Sequence, residues 1–432
     1  MNTGKPKPPR AAAKAAASRS RASTPRPGTA SPPPIEVDGS SLPPLGMDPA
    51  VFLRDYWQKR PLLVRNAFPG LHSPLQPEDL AGLACEEGTL SRLVHHDRAS
   101  DGWSVRHGPF AEEDFPGLPD HDWTLLVQDV DKWDPDVAAL LEHFRFLPRW
   151  RIDDIMVSFA ATGGSVGAHV DQYDVFLLQT HGQRRWLIDA RPDAPLGFRD
   201  GVELKLLRQF EPSHDWVLGP GDMLYLPPDV PHHGIAVDPC LTVSVGMRAP
   251  SSAELIGDWL DDLLAGADES IRYRDPDLAL PADPNEIDAA AMERVVAALN
   301  AIRMNDPDRL GDWFGRFITT YRAAGEVVAR GDERPRIELE WDLAQGASLH
   351  RHPASRLAWR RKRRGASLFC SGLALDLPVA DARLLAACGQ LDQRSWEALS
   401  AAGREAAFAL YQAGHYGLLA DDPDEDGGDG DA

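Results

Sequence analysis

Before about residue 42 the chain has almost no large apolar residue; up to residue 250 it then alternates short apolar runs with Gly- and Pro-marked turns. The first stretch is rich in Pro, Ala, Ser and Arg and cannot bury enough surface to fold, so residues 1–42 are expected to be a disordered basic tail. From Asp48, DPAVFLRDYWQKRPLLVRNAF predicts a helix and then a strand, PLLVRNA. WTLLVQDV, DIMVSFA, DVFLLQT, RRWLIDA, GDMLYLPP and CLTVSVGM follow as short strands, the spacing of a sandwich or barrel. THGQ, between VFLLQ and RRWLID, reads as a hairpin turn.

After Pro250 the period becomes helical. Ser251-Ser252-Ala253-Glu254 is a capping box, followed by Leu255, Trp259, Leu263 and Leu264. A second run holds Ile287, Val295, Leu299 and Ile302. A third, capped by Asp306-Pro307, holds Leu310, Trp313, Phe314, Phe317 and Tyr321. These helices are either a buttress for the strands or an oligomer interface, and the aromatic stripe reads as packing. From Arg336 to Ala420 a smaller mixed unit is compatible with a winged helix. The fold class is therefore α+β.

Charge narrows the partners. Seven bases and no acid lie in residues 1–35, and seven acids and no base in residues 421–431, so the net charge of −21 belongs to the part between. Such a core favours basic partners and disfavours bare nucleic acid. The run RLAWRRKRR (356–364) reads either as a nucleic-acid patch or as a solvated strand paired with acids. No apolar run reaches membrane-spanning length and no secretory segment is expected at the N-terminus. Cys85, Cys240, Cys370 and Cys388 lie far apart, which fits free thiols in a reducing cytoplasm.

The candidate chemistry centres on His169-Val170-Asp171, preceded by Gly163, Gly164 and Gly167. Side chains two apart on an extended chain share a face. With a third ligand from another strand, His232 in GDMLYLPPDVPHHG, they make the facial triad of non-haem Fe(II) oxygenases. A second such tripeptide, His95-His96-Asp97, runs into RASDG and reads as an ordinary hairpin. Arg184 opens an otherwise apolar strand; it is either a surface arginine at a strand end or a buried guanidinium needing a planar carboxylate.

YWQKRPLLVRNAF, WSVRHGPF, FRFLPRWRIDDIMVSFA, GGSVGAHVDQYDVFLLQTHGQRRWLID, GDMLYLPPDVPHHG and SVGMRAP together resemble the JmjC-domain ribosomal oxygenases of bacteria, the ribosomal-protein arginine hydroxylases of the cupin superfamily. The resemblance is strong over roughly residues 45–250 and looser beyond. It implies a double-stranded β-helix (jelly-roll) catalytic domain at 43–250, a helical dimerisation region at 251–335, a winged-helix-like domain at 336–420 and an acidic tail at 421–432. It implies Fe(II) held by His169, Asp171 and His232, the last chosen over His233 because it follows Pro231 in PPxxPH. It also implies 2-oxoglutarate held by Arg184 with Ser158, O2 as cosubstrate, a homodimer, and a basic client, an arginine of the sixteenth large-subunit ribosomal protein. Ribosomal-protein histidine hydroxylation and lysine demethylation share that metal core; a non-catalytic cupin module is the competing class, which the intact ligands and Arg184 disfavour. Two positions depart from the family pattern: Ser165 stands where a glycine is expected, and Ala160 where a second serine would fit.

Overall fold

The structure, a computed structural model, describes residues 33–268, 270, 272–280, 283–301, 306–320, 327–331 and 334–419. Strand β1 (Glu36–Asp38) precedes α1 (Pro49–Asp55), whose cap Asp48 accepts from the Ala50 amide at 2.8 Å. Then come β2 (Leu62–Arg65), α2 (Pro77–Cys85), β3 (Ser91–Asp97), β4 (Gly102–His107), β5 (Trp123–Val127), α3 (Pro135–Ala139), β6 (Ile152–Ala160), β7 (Val175–His181), β8 (Arg184–Ile188), β9 (His214–Leu218), β10 (Met223–Leu226), β11 (His232–Ala236) and β12 (Cys240–Met247). Nine of these strands form one sheet in the order β1-β2-β10-β7-β12-β6-β5-β3-β4, and β11-β8-β9 form a second.

Alternation along the strands makes the layers. One face of the large sheet buries Phe176, Leu178, Met223, Tyr225, Val243 and Val245 with Phe52 and Tyr56 of the α1 region. The other face sets Val175, Leu177, Leu224 and Leu226 against Trp186, Ile188 and Leu218 of the small sheet. The expected jelly roll is therefore present.

Two expectations are corrected. DVFLLQT and RRWLIDA are not a hairpin: β7 lies between β10 and β12, while β8 lies between β11 and β9. Both edges of β7 are taken, so the turn carries the chain from one sheet to the other. Gly182 (φ +61°) makes the corner against the Pro239 carbonyl, where a Cβ would collide. The second correction concerns residues 1–42. Within that stretch β1 pairs in parallel with β2, and just beyond it Leu45 is buried. Backbone pairing orders β1 without needing large side chains.

The helical stretch begins as read. Ser251 and Glu254 cap α4 (Ser252–Ala265) reciprocally at 3.1 and 2.8 Å. Then follow α5 (Ala289–Ala301) and α6 (Pro307–Thr319), capped by Asp306. Trp259 and Leu263 pack on Trp313, Phe317 and Ile318. Ile287 lies ahead of α5 and is 77% exposed. Ile302, Tyr321 and the acidic tail lie outside the described residues.

The last part comprises α7 (Arg336–Ala344), β13 (Ser348–Arg351), β14 (Leu357–Arg361), β15 (Ala366–Cys370), β16 (Leu373–Leu377), α8 (Val379–Ala387), β17 (Gln390–Leu391), α9 (Gln393–Ala398), α10 (Ala401–Gln412) and β18 (Tyr416–Leu419). Three of the six bases of its basic run pair with acids: Arg356 with Asp153 (2.9 Å), Arg360 with Asp308 (3.0 Å), and Lys362 with Asp312 (3.0 Å) and Asp376 (2.8 Å). Among the described residues no helix is long and apolar enough to cross a membrane.

The carboxylate of Asp174, fully buried at the entry to β7, accepts from Tyr225 Oη (2.7 Å), Gln58 Nε2 (2.9 Å) and Arg151 Nη2 (3.2 Å). Asp174→Ala would leave the buried Tyr225 hydroxyl without its acceptor and the half-buried Arg151 without its carboxylate. It should lower stability by about 2–3 kcal/mol in urea unfolding, and a loss below about 1 kcal/mol would contradict this role.

Candidate metal centre

The chain before β7 runs antiparallel to β11. The His169 amide donates to the His232 carbonyl (3.0 Å) and the His232 amide to the His169 carbonyl (2.9 Å). Directly opposed residues of an antiparallel pair present their side chains on one face, and the two imidazole centroids lie 4.2 Å apart. Asp171 follows on the same side: its Oδ2 lies 3.9 Å from His169 Nε2 and 3.6 Å from His232 Nε2. One ligand atom from each of the three residues lies within 4.8 Å of the others.

The ring protons are placed by the backbone. His169 Nδ1 lies 2.9 Å from the Gly167 carbonyl, and His232 Nδ1 lies 2.9 Å from the Val230 carbonyl. A carbonyl only accepts, so each proton sits on Nδ1 and each Nε2 lone pair faces Asp171. His232 is 2% exposed, and burial, helped by His169, pushes its pKa down to about 4. Two imidazoles with Nε2 turned inwards and one carboxylate on one side of a point suit a divalent metal with open positions, as Fe(II) requires.

The other tripeptide does different work. His96 stacks on Trp103 at 4.0 Å and contacts Asp101 at 3.0 Å. Asp97 accepts from Ala99 N (2.9 Å) and Ser100 Oγ (2.6 Å) within the predicted turn. Among the described residues only His169, Asp171 and His232 form a cluster able to hold a metal.

Arg184 is the first residue after the sheet crossing and is 3% exposed. Its Nη1 donates to Ser158 Oγ (3.2 Å) and Thr242 Oγ1 (3.4 Å), and its Nε has no partner among the described residues. Burial pulls its pKa down. A guanidinium among neutral hydroxyls calls for an anion, and a planar carboxylate fits its fork. The Trp186 ring lies 5.2 Å from the Arg184 Cζ and 5.9 Å from the His232 ring, so it bridges the two sites. Gly234 makes this possible: a Cβ there would fall 2.7 Å from Trp186 and 2.8 Å from Arg184 Nε. Ala160 packs with Ala236 and Cys240, and Thr242 provides the second hydroxyl.

Residues 139–255 match the JmjC domain model and residues 301–417 the ROXA-like winged-helix model. The ribosomal protein uL16 3-hydroxylase of Escherichia coli (strain K12) is 38% identical over 331 residues, 76% of this chain and 85% of that one. The chain belongs to the JmjC-domain ribosomal oxygenases. A probable ribosomal oxygenase of Haemophilus influenzae is 41% identical over 55% of this chain and 56% of its own. The structure of YcfD, a ribosomal oxygenase from Escherichia coli in complex with cobalt and 2-oxoglutarate, superposes with a TM-score of 0.74 at 34% identity, covering 87% of this chain and 99% of that one. As a JmjC-domain ribosomal oxygenase the chain is a 2-oxoglutarate-dependent dioxygenase, a class that uses Fe(II), 2-oxoglutarate and O2.

This oxygenase has a further feature, an acidic cavity, with little trace in its sequence. A cavity of about 360 Å³ is lined by Gln128, Asp129, Asp153, Asp154, Tyr173 and Arg248, among others. Burial, then Asp129 and Asp153, push the Asp154 pKa up to about 7. Tyr173 stands two residues after Asp171, and burial and the Asp171 charge hold its phenol protonated. The available signal was the acidic pair Asp153-Asp154 opening an apolar strand.

His232 titrates below its ordinary 6.5, so the unfolded chain takes up that proton first. Without metal, this group destabilises the fold as pH falls from 6.5 towards about 4. Asp154 has the opposite sign between 3.8 and about 7, so the comparison of parent with His232→Asn isolates the histidine. The variant should lose less stability than the parent between neutral and mildly acidic pH in urea unfolding; equal losses would contradict the buried neutral imidazole.

Proposed function

We propose that this enzyme hydroxylates an arginine side chain of ribosomal protein uL16, with Fe(II) held by His169 Nε2, Asp171 and His232 Nε2. Arg184, with Ser158 and Thr242, takes the distal carboxylate of 2-oxoglutarate. Bound there, Fe(II) with 2-oxoglutarate and O2 supplies the oxidation that places one oxygen atom into a C–H bond, giving succinate and CO2. The protein's own work is positioning. Arg184 fixes one end of the cosubstrate, Trp186 walls the space between, and the committed Nδ1 protons keep both Nε2 atoms free.

The acidic cavity beside Asp171 carries the choice of arginine. Asp129 and Asp154 offer carboxyl groups to a guanidinium, while Asp153 already pairs with Arg356, and Tyr173 offers an aromatic face. A neutral imidazole client would gain less from these carboxyl groups than a guanidinium would. The relative named a uL16 hydroxylase supports the protein client, and so does the net charge of −21, which steers a basic protein inwards and repels assembled rRNA. Modification before ribosome assembly, in the cytoplasm, fits this balance. Homodimerisation belongs to the same reading, supported by Ile256, Leu260 and Leu264 of α4, which remain exposed, as do Val296 and Leu299 of α5. The partition at residues 43–250, 251–335 and 336–420 also belongs to it.

The test is incubation of the full chain with free uL16, Fe(II) and 2-oxoglutarate, with the product mapped by mass spectrometry. The reading requires one added oxygen atom on an arginine; the same gain on a histidine would contradict it. Arg184→Lys should weaken 2-oxoglutarate binding by at least about tenfold and leave Co(II) binding unchanged. Asp154→Asn should raise the client KM about tenfold at unchanged 2-oxoglutarate affinity. If cosubstrate affinity fell with it, Asp154 would not belong to a client subsite.

A further inference from the structure

Gly167 sits at φ +80°, and its carbonyl takes the Nδ1 proton of His169. Its amide donates to Ser165 Oγ at 2.9 Å, so the serine that replaces an expected glycine ties the loop down from within. From outside, Gly167 is pinched. A Cβ there would collide with Leu206 Cδ2 and lie 3.3 Å from Trp103 Cη2 and 3.4 Å from Cζ2, the far edge of the indole. The next residue is held as well, since the Leu207 amide donates to the Ala168 carbonyl at 2.8 Å.

We propose that Trp103 is a positioning residue for the metal ligand His169, acting through Gly167. The β3–β4 hairpin is anchored for this on both sides. Arg98 Nε donates to Asp122 Oδ1 (2.7 Å) and its Nη2 to the Gly163 carbonyl (3.3 Å) in the same glycine-rich loop. Asp101 pairs with Arg199 (3.1 Å), and His107 with Glu203 (2.7 Å), both on the segment that carries Leu206. His96 backs the indole, and Asp97 closes the turn behind it. The second His-x-Asp tripeptide is thus the brace of the hairpin. Trp103 Nε1 is buried with no partner among the described residues. That unmet donor works against stability, and it marks a position occupied for reach rather than for packing alone. With the indole edge in place, the Gly167 carbonyl has one direction, and the His169 ring has one tautomer and one orientation.

The inference rests on the metal reading above, and its test separates the two. Co(II) is titrated into the metal-free full chain, following its visible absorption, for the parent, Trp103→Phe, Trp103→Ala and Asp171→Ala. Phenylalanine keeps the stack on His96 but falls short of Gly167. Trp103→Phe should therefore melt like the parent, yet bind Co(II) roughly tenfold more weakly, the low end for loss of an outer-shell support, with shifted absorption bands. Trp103→Ala should lose at least as much affinity; if it does not fold, Trp103→Phe carries the test alone. Parent affinity and spectrum in Trp103→Phe would overturn the role of Trp103. A parent chain whose Co(II) binding is absent, or survives Asp171→Ala, would overturn the metal reading instead.

Discussion

Two backbone hydrogen bonds, exchanged between His169 and His232 at 3.0 and 2.9 Å, fix everything that the site can do. They set two side chains from segments sixty residues apart directly opposite each other on one face. Asp171 follows because the chain stays extended for two more residues. Side chains alternate with period two, so a slip of one residue would turn a ligand away from its partners. Several contacts guard the register: the Leu207 amide on the Ala168 carbonyl, the Asp229 amide on the Asp171 carbonyl, and β11 against β8 from His232↔Ile188 to Ala236↔Arg184.

That last pairing ties the candidate metal ligands to Arg184. β11 carries His232 at one end and Gly234 in the middle, where the missing side chain leaves room for Trp186 and the guanidinium. β8 begins with Arg184 because the chain has just crossed from the large sheet, so this cation lands between the layers rather than at a surface strand end. A buried cation with only hydroxyl partners is costly to the fold. A dicarboxylate cosubstrate that answers it should stabilise the protein as it binds. On the proposed function, binding and folding would be coupled through Arg184.

The three residues of the candidate metal cluster were legible in the sequence because each had a local signature. His169 and Asp171 share a strand face by spacing, and His232 follows a proline in a recognisable run. Arg184 was visible as the first of two arginines opening an otherwise apolar strand, and Ser158 came only with the family likeness. Thr242, Asp154 and Tyr173 passed unremarked, since polar residues alternating on a strand normally mean a solvent face. Only the placement of β12 between β6 and β7 shows that Thr242 points inwards. The β7–β8 corner was misread for a related reason: a tight glycine turn looks the same whether the next strand returns to its neighbour or leaves for another sheet. Which edges are already occupied is decided by residues far away in the chain. β1 was missed because three residues, two of them acidic, give no apolar signal.

The basic run at 356–364 illustrates the same limit in reverse. Six bases in nine residues suggested a polyanion surface, yet Asp153, Asp308, Asp312 and Asp376 answer much of that charge within the fold. The acidic character of the whole then points to a basic client. The site depends above all on the facing pair of histidines. An anaerobic crystal structure with Mn(II) and 2-oxoglutarate tests it most directly. It should place His169 Nε2, an Asp171 carboxylate oxygen and His232 Nε2 at about 2.0–2.3 Å from one ion, with the distal carboxylate on Arg184. Metal held by His95, His96 or Asp97, or bound through either Nδ1, would contradict it.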